Sequence, residues 1–185
     1  MDESESKKQN PHEGQRRFSQ EQYEMLKRCS DKKDMTEWNE WRKEHLTEDV
    51  LLEGADLLQA HLKCARLELK GAEGDTGDVW LREADLGWAN LEGAALMNCR
   101  LNGAKLWFAR LERADVSFAD LRGTELMQAK VDGGTTLWKC QVDRKTNAEG
   151  VALDRAVIDP GTKQLLEYNI RRKNWEEWYE KGCEW

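Results

Sequence analysis

The chain has 185 residues, 29 basic and 36 acidic side chains and a net charge of −7. That length suits one domain able to bury a sizeable core, and the mixed charges read as a solvated surface, which argues against nucleic acid as a direct ligand. The five cysteines, Cys29, Cys64, Cys99, Cys140 and Cys183, are widely spaced with no CxxC, so neither a disulfide framework nor a zinc site is suggested and a reducing compartment fits best.

Residues 1–17, MDESESKKQNPHEGQRR, hold no apolar run for a signal peptide and nothing to bury, and are expected to form a disordered tail. No later stretch approaches the roughly 18 apolar residues of a membrane span, so a soluble, cytoplasmic chain is expected. A helical segment is expected over 18–48. Ser19 with Gln22 and Asp34 with Glu37 have capping-box spacing, and Tyr23, Leu26, Trp38 and Trp41 supply apolar stripes.

From Glu83 to Leu121 the sequence repeats every five residues, a period that fits neither a helix nor a strand. The centres Leu81, Leu86, Leu91, Leu96, Leu101, Leu106, Leu111, Val116, Leu121, Leu126 and Val131 keep strict step. Two residues before each lies a smaller one, among them Ala84, Ala89, Ala94, Cys99, Ala104 and Ala109. Residues two apart on an extended segment share a face, so small and large point inward together and the residue between them points out. Two further residues turn the chain, and Gly54, Gly93, Gly103, Gly123 and Gly133 lie where a corner needs permissive backbone angles. The unit is a very short strand plus a corner, and stacked corners make a coil with an interior of Leu and Ala.

The run ADLGW ANLEG AALMN closely resembles the pentapeptide repeat family, with its A(D/N)LXX motif. The resemblance implies an all-β solenoid: a right-handed quadrilateral β-helix of four pentapeptides, or twenty residues, per coil. Leu52, Leu57, Leu62 and Leu67 form an earlier coil, and Leu137, Val142, Leu153 and Ile158 a broken continuation, with one-residue slips near Gly133-Gly134 and near Ala148. The repeat is expected over 49–158. A loop leaves it at about 68–79, where Leu67 to Leu81 is fourteen residues instead of fifteen. Residues 159–185 read as a helix that Asp159 caps, Pro160 starts and Gly182 ends, and the flanking helices are candidate caps for the open ends of the array.

Little points to chemistry. His12, His45 and His61 lie near no plausible nucleophile, and GxSxG and Walker A motifs are absent from the sequence. The loop carboxylates Glu73, Asp75 and Asp78 miss the EF-hand spacing and read as solvated. Asp85, Asp120 and Glu125 alternate with Arg100 and Lys105 as ladder pairs across coils, while Cys99 and Cys140 fill the small inward slot. No catalytic, cofactor or metal residue is assigned, and no enzyme is expected.

With twenty residues per coil, Trp88 falls beneath Phe108 and Trp107 beneath Met127, a candidate partner-binding face; Met97, Phe118 and Trp138 form a second on the opposite side. The remaining faces carry Glu92, Glu112, Arg113, Arg122, Asp143 and Arg144. The terminal helices, with Trp38, Trp41, Trp175 and Trp178, are an alternative cover for one of the aromatic faces. The leading expectation is a non-enzymatic scaffold that binds another protein, with self-association through a terminal helix or an aromatic face also open. Two further expectations come from the resemblance. Some family members mimic duplex DNA and bind type II topoisomerases, although Arg110, Arg113 and Lys130 interrupt an acidic stripe here. The segment NIRRKNWEEWYE is similar to one that precedes an ion-channel-like membrane region in longer relatives, although Glu176, Glu177 and Glu180 disfavour anionic lipid.

Overall fold

The five-residue rhythm becomes a stack of turns in the computed structural model, which describes residues 17–45, 48–67 and 79–180, the last four of these as backbone only. The tail 1–16, the acidic loop with Glu73, Asp75 and Asp78, His12, Cys183 and the side chain of Trp178 lie outside the described residues. Helices α1 (Gln20–Lys32), α2 (Thr36–Glu44) and α3 (Pro160–Glu180) flank the repeat. Its regular strands are two residues each: β1 (Val50–Leu51), β2 (Val79–Trp80), β3 (Thr136–Leu137) and β4 (Val157–Ile158). β1 pairs in parallel with β2 and β3 with β4.

Most pairing lies outside those strands, in isolated parallel bridges. Trp80 pairs with Arg100, Asp85 with Lys105, Asn90 with Arg110 and Ala95 with Asp115, each partner twenty residues on. The repeat is thus present as bridges more than as strands, because each extended piece presents a single outward residue to the next turn before the chain bends. The helices expected as caps lie on either side of it. Within each unit three inter-turn hydrogen bonds recur, as in Lys105 N to Ala84 O at 2.9 Å, Leu86 N to Lys105 O at 2.8 Å and Trp88 N to Trp107 O at 2.9 Å. Leu86, Leu91, Leu96, Leu101, Ala84, Ala89 and Ala104 are all completely buried, each Leu contributing roughly 1.5–3 kcal/mol by burial. Where the small slot holds a donor, the donor bonds a carbonyl of the preceding turn, as Thr124 Oγ1 does with Leu101 O at 2.9 Å and Cys140 Sγ with Val116 O at 3.2 Å.

The first coil sits squarely on the second. Val50 pairs with Val79, Asp56 with Asp85, His61 with Asn90 and Arg66 with Ala95, all 29 residues apart. The phase of the first coil, which the fourteen-residue spacing left open, is thereby fixed. Leu67 to Leu81 is one five-residue step with nine residues inserted, and Val79, expected in the loop, already belongs to β2.

Two slips interrupt the far end, and both have one cause. Bridges lengthen to 21 residues at Asp115–Thr136 and to 22 at Glu125–Asn147, which places the second slip just before Asn147, beside the expected Ala148. The sequences there are VDGGT and VDRKT. Asp132 Oδ1 accepts from Arg113 N at 2.9 Å and Asp143 Oδ1 from Gly123 N at 2.9 Å, so each carboxylate takes an N–H that a carbonyl of the next turn receives at an uninterrupted corner. The threonine closes the loop, Asp132 N donating to Thr135 Oγ1 at 3.0 Å and Asp143 N to Thr146 Oγ1 at 3.1 Å. IDPGT repeats the device at the start of α3, where Asp159 accepts from Lys139 N at 2.6 Å and from Thr162 N at 3.1 Å. Gly133, expected at a left-handed corner, is absent from the positive-φ residues for this reason, while Gly150, stacked beyond Gln128 on a different corner, is left-handed at φ 74°.

Both ends of the stack are covered. At the first coil Gln22 accepts from Leu51 N at 2.7 Å, Ser30 from His61 N at 2.8 Å and Asn39 from Arg66 N at 2.8 Å, which satisfies edge donors that would otherwise invite another strand. Trp38, fully buried, donates to Arg66 O at 3.0 Å. Ser19 caps α1, accepting from Gln22 N at 3.3 Å, but the Gln22 side chain serves the coil edge instead of closing a capping box. Asp34 accepts from Thr36 N at 2.9 Å while Glu37 pairs with Arg28 at 2.7 Å, so the second box is also incomplete. Arg17, expected in the tail, is held: its N–H donates to Glu53 at 2.9 Å and its guanidinium lies 3.6 Å over Trp80. At the far end Leu166 of α3 is fully buried, and Asn169 donates to Asp143 O at 2.7 Å and Thr146 O at 2.9 Å.

Candidate functional site

The second residue of nearly every corner is left-handed, and this decides what the stack shows to solvent. Glycine fills the position at Gly54, Gly93, Gly103 and Gly123, with φ between 64° and 73°. The same position holds Trp88 at φ 51°, Phe108 at φ 57° and Phe118 at φ 60°, a conformation that bulky side chains adopt at a cost of roughly 1–2 kcal/mol each. A left-handed residue at a corner points away from the core, so these rings are 47%, 41% and 44% exposed.

At the Trp88 corner the structure brings the first candidate face together. Trp88 stacks on Phe108 with centroids 5.0 Å apart and planes 6° apart, and meets Trp107 edge-on at 4.5 Å. Trp107 is half-buried because it lies across Gly87, where an added Cβ would stand 3.0 Å from its ring and 3.1 Å from Leu58 Cδ1. Gly87 is thus needed for close approach and not for its backbone angle. Met127, partly exposed, continues the corner, its carbonyl accepting from Phe108 N at 2.8 Å. Sequence reasoning missed Leu58, exposed on the same corner, because the phase of the first coil hid it.

The second candidate face is looser. Phe118 N donates to Trp138 O at 2.9 Å and Asn98 N to Ser117 O at 3.0 Å, so Met97, Ser117 and Trp138 occupy successive levels of one corner, with buried Ser117 between the two apolar residues. Phe118 and Trp138 share the corner without the ring stack seen at Trp88.

The other two corners are held by charge. Arg110 reaches Glu92 at 3.2 Å and Glu112 at 3.6 Å, Lys63 reaches Glu92 at 3.2 Å, and Arg122 holds Asp120 at 2.6 Å. The Arg122 guanidinium keeps the Asp120 carboxyl below its ordinary range. Lys105 meets Asp85 at 3.6 Å as the ladder reading expects, whereas Asp120 turns to Arg122. Burial pushes the Cys140 thiol up to about 12 and raises that of Cys29, so both are unreactive packing groups. His45 bonds Trp41 O at 2.8 Å as it closes α2, and His61 occupies an outward bridge position; neither meets a nucleophile. The alternative cover for the aromatic corners is corrected too. Trp38 is spent on the end of the first coil and Trp175 is 67% exposed, so among the described residues the terminal helices leave both corners open.

The family description of pentapeptide repeats matches residues 81–117, in eight copies. The chain carries the repeats of the pentapeptide repeat family. Proteins built of pentapeptide repeats form right-handed quadrilateral β-helices, and the matched description belongs to no enzyme family. No curated protein matches the chain. Among the solved structures similar to it are three pentapeptide repeat or resistance proteins. One is a pentapeptide repeat protein of the Arabidopsis thaliana thylakoid lumen, at 25% identity over 60% of this chain and 68% of that one, with a TM-score of 0.48. HetL, a pentapeptide repeat protein involved in heterocyst differentiation regulation in the cyanobacterium Nostoc sp. strain PCC 7120, is 28% identical over 58% and 51%, with a TM-score of 0.30. QnrB1, a plasmid-mediated fluoroquinolone resistance protein, is 17% identical over 64% and 62%, with a TM-score of 0.30.

Proposed function

We propose that this pentapeptide repeat chain is a right-handed quadrilateral β-helix, capped by its terminal helices, that works as a non-enzymatic protein-binding scaffold. The observation that carries the reading is the pair of aromatic corners. The backbone would accept glycine at Trp88, Phe108 and Phe118 with less strain, and does so at Gly103 and Gly123. Rings kept at a strained corner and left exposed contribute little to folding, and contiguous apolar surface of this kind is characteristic of interfaces. DNA mimicry stays second, because Arg110, Arg113 and Lys130 are exposed where an acidic stripe would run. The reading places the protein in the cytoplasm, in keeping with the exposed free thiol of Cys64.

Affinity capture from an extract of the native host tests the scaffold. The wild-type chain is expected to retain specific proteins that are lost when Trp88, Trp107 and Phe108, or Phe118 and Trp138, are changed to Ser. Identical retention by all three chains overturns it.

A further inference from the structure

The two aromatic corners differ in what flanks them. Beside the Trp88 corner, one side of the column presents the outward bridge residues Asp56, Asp85, Lys105 and Glu125, a net charge of −2. The other side presents His61, Asn90, Arg110 and Lys130, a net charge of +2 with His61 neutral. An apolar ridge with an acidic flank on one hand and a basic flank on the other is complementary to itself. If a second column stands parallel to the first, related by a two-fold axis along the columns, ridge meets ridge and the acidic flank of each copy faces the basic flank of the other. In that arrangement residues at one level meet their own level: Glu125 faces Lys130 of the second copy, Asp85 faces Asn90, and the Trp88 and Phe108 rings pack against their own counterparts. The Phe118 corner offers no such match. One of its flanks holds Arg66, Ala95, Asp115 and Thr136, the other Trp80, Arg100, Asp120 and Gln141, and neither has the opposite balance of the other.

From this self-complementarity we propose that the Trp88 corner is the seat of a second copy of this chain, forming a parallel two-fold dimer that leaves the Phe118 corner for a different partner. The proposal rests on the reading of the aromatic corners as interfaces and names the occupant of one of them. Four stacked levels at about 4.8 Å make a ridge about 15 Å long, well short of a standard interface, so the dimer is weak and exchanges with monomer. Lys105 faces Arg110 of the second copy at the third level. Each already has its own carboxylate, Asp85 at 3.6 Å and Glu92 at 3.2 Å, which limits the repulsion.

Sedimentation equilibrium of the full chain across a wide concentration range reads the association directly. A reversible monomer–dimer equilibrium is expected, weakened about tenfold or more by Trp88→Ser with Phe108→Ser. Glu125→Lys alone and Lys130→Glu alone are each expected to weaken it by about fivefold, and the two together to return it to within about twofold of wild type. Both residues are exposed, so the swap leaves the fold intact, which unchanged thermal unfolding of the variants verifies. A Gln128→Cys variant is expected to link to its own copy under mild oxidation, because the parallel arrangement brings position 128 opposite itself, whereas an antiparallel one centred on the Trp88–Phe108 stack would set it against Gln59. A monomer at every concentration overturns the proposal, as does a dimer indifferent to Trp88→Ser with Phe108→Ser, or a charge swap that fails to restore association. A monomeric wild type that still captures another protein through these corners removes the second copy and leaves the scaffold reading standing.

Discussion

At the Gly103 corner the left-handed residue is Gly54, Glu83, Gly103 and Gly123 from level to level; at the Trp88 corner it is Gln59, Trp88, Phe108 and Gln128. The φ angles of the two series overlap, from 56° to 73° at the first and from 51° to 57° at the second, and the inter-turn hydrogen bonds are alike: Gly103 N to Arg122 O at 2.9 Å, Phe108 N to Met127 O at 2.8 Å. One backbone thus carries either no side chain or an aromatic ring. The inward positions tolerate no such freedom, since every regular turn fills them with Leu or Val and a small partner. Stability is concentrated inside the column, and identity is displayed at its corners.

Substitutions of decreasing effect can break or sharpen that contrast. Leu106→Ala, on the inside, is expected to cost about 2–5 kcal/mol in thermal or urea unfolding, because a fully walled site cannot collapse around the cavity. Ala109→Leu is expected to cost roughly 1–3 kcal/mol by overpacking the same layer. At the corners Gly103→Phe should cost about 1–2 kcal/mol by forcing an aromatic residue into the left-handed region. Phe118→Gly should relieve that strain and stabilise by up to about 1 kcal/mol. Phe108→Gly should come out near neutral, because the stack on Trp88 offsets the relief by about 0.5–1.5 kcal/mol. Equal effects of these two glycine substitutions would contradict the distinction between the two aromatic corners. Smallest of all, Arg110→Ser should stay within about 0.5 kcal/mol, since its ion pairs are exposed.

A pH series probes the slipped end of the column. Burial works against ionisation of Asp143, but the N–H groups of Gly123, Lys145 and Thr146 outweigh it and hold the carboxyl below its ordinary 3.8. Asp132 and Asp159 are held low by the same kind of bonds. A folded pKa below the unfolded one gives stability that is present above the ordinary carboxylate value and lost as pH falls through the folded value. Urea midpoints are therefore expected to hold steady at neutral pH and to fall below about pH 4, less steeply in an Asp143→Asn variant.

The coil itself was legible because its rule is local: Leu at every fifth residue with Ala two before it admits one way to bury both. Trp88 over Phe108 followed from counting twenty. The excursion after Leu67 defeated counting, since a sequence period cannot distinguish a slip from a nine-residue insertion, and Leu58 was lost with it. The VDGGT and VDRKT pair was visible as a recurring Asp and Thr around two residues, but its meaning lies in N–H groups one turn away. Gln22 and Glu37 have capping-box spacing, yet coil-edge donors and Arg28 compete for them more effectively.

The sequence alone determined the interior, since which residues point inward is set by chain geometry over five positions. Tertiary structure alone decided which turns stack in which register, which helices close the ends and which rings stay in water. Those outcomes depend on backbone groups and surfaces brought together from residues twenty or more positions apart, and no local pattern records them.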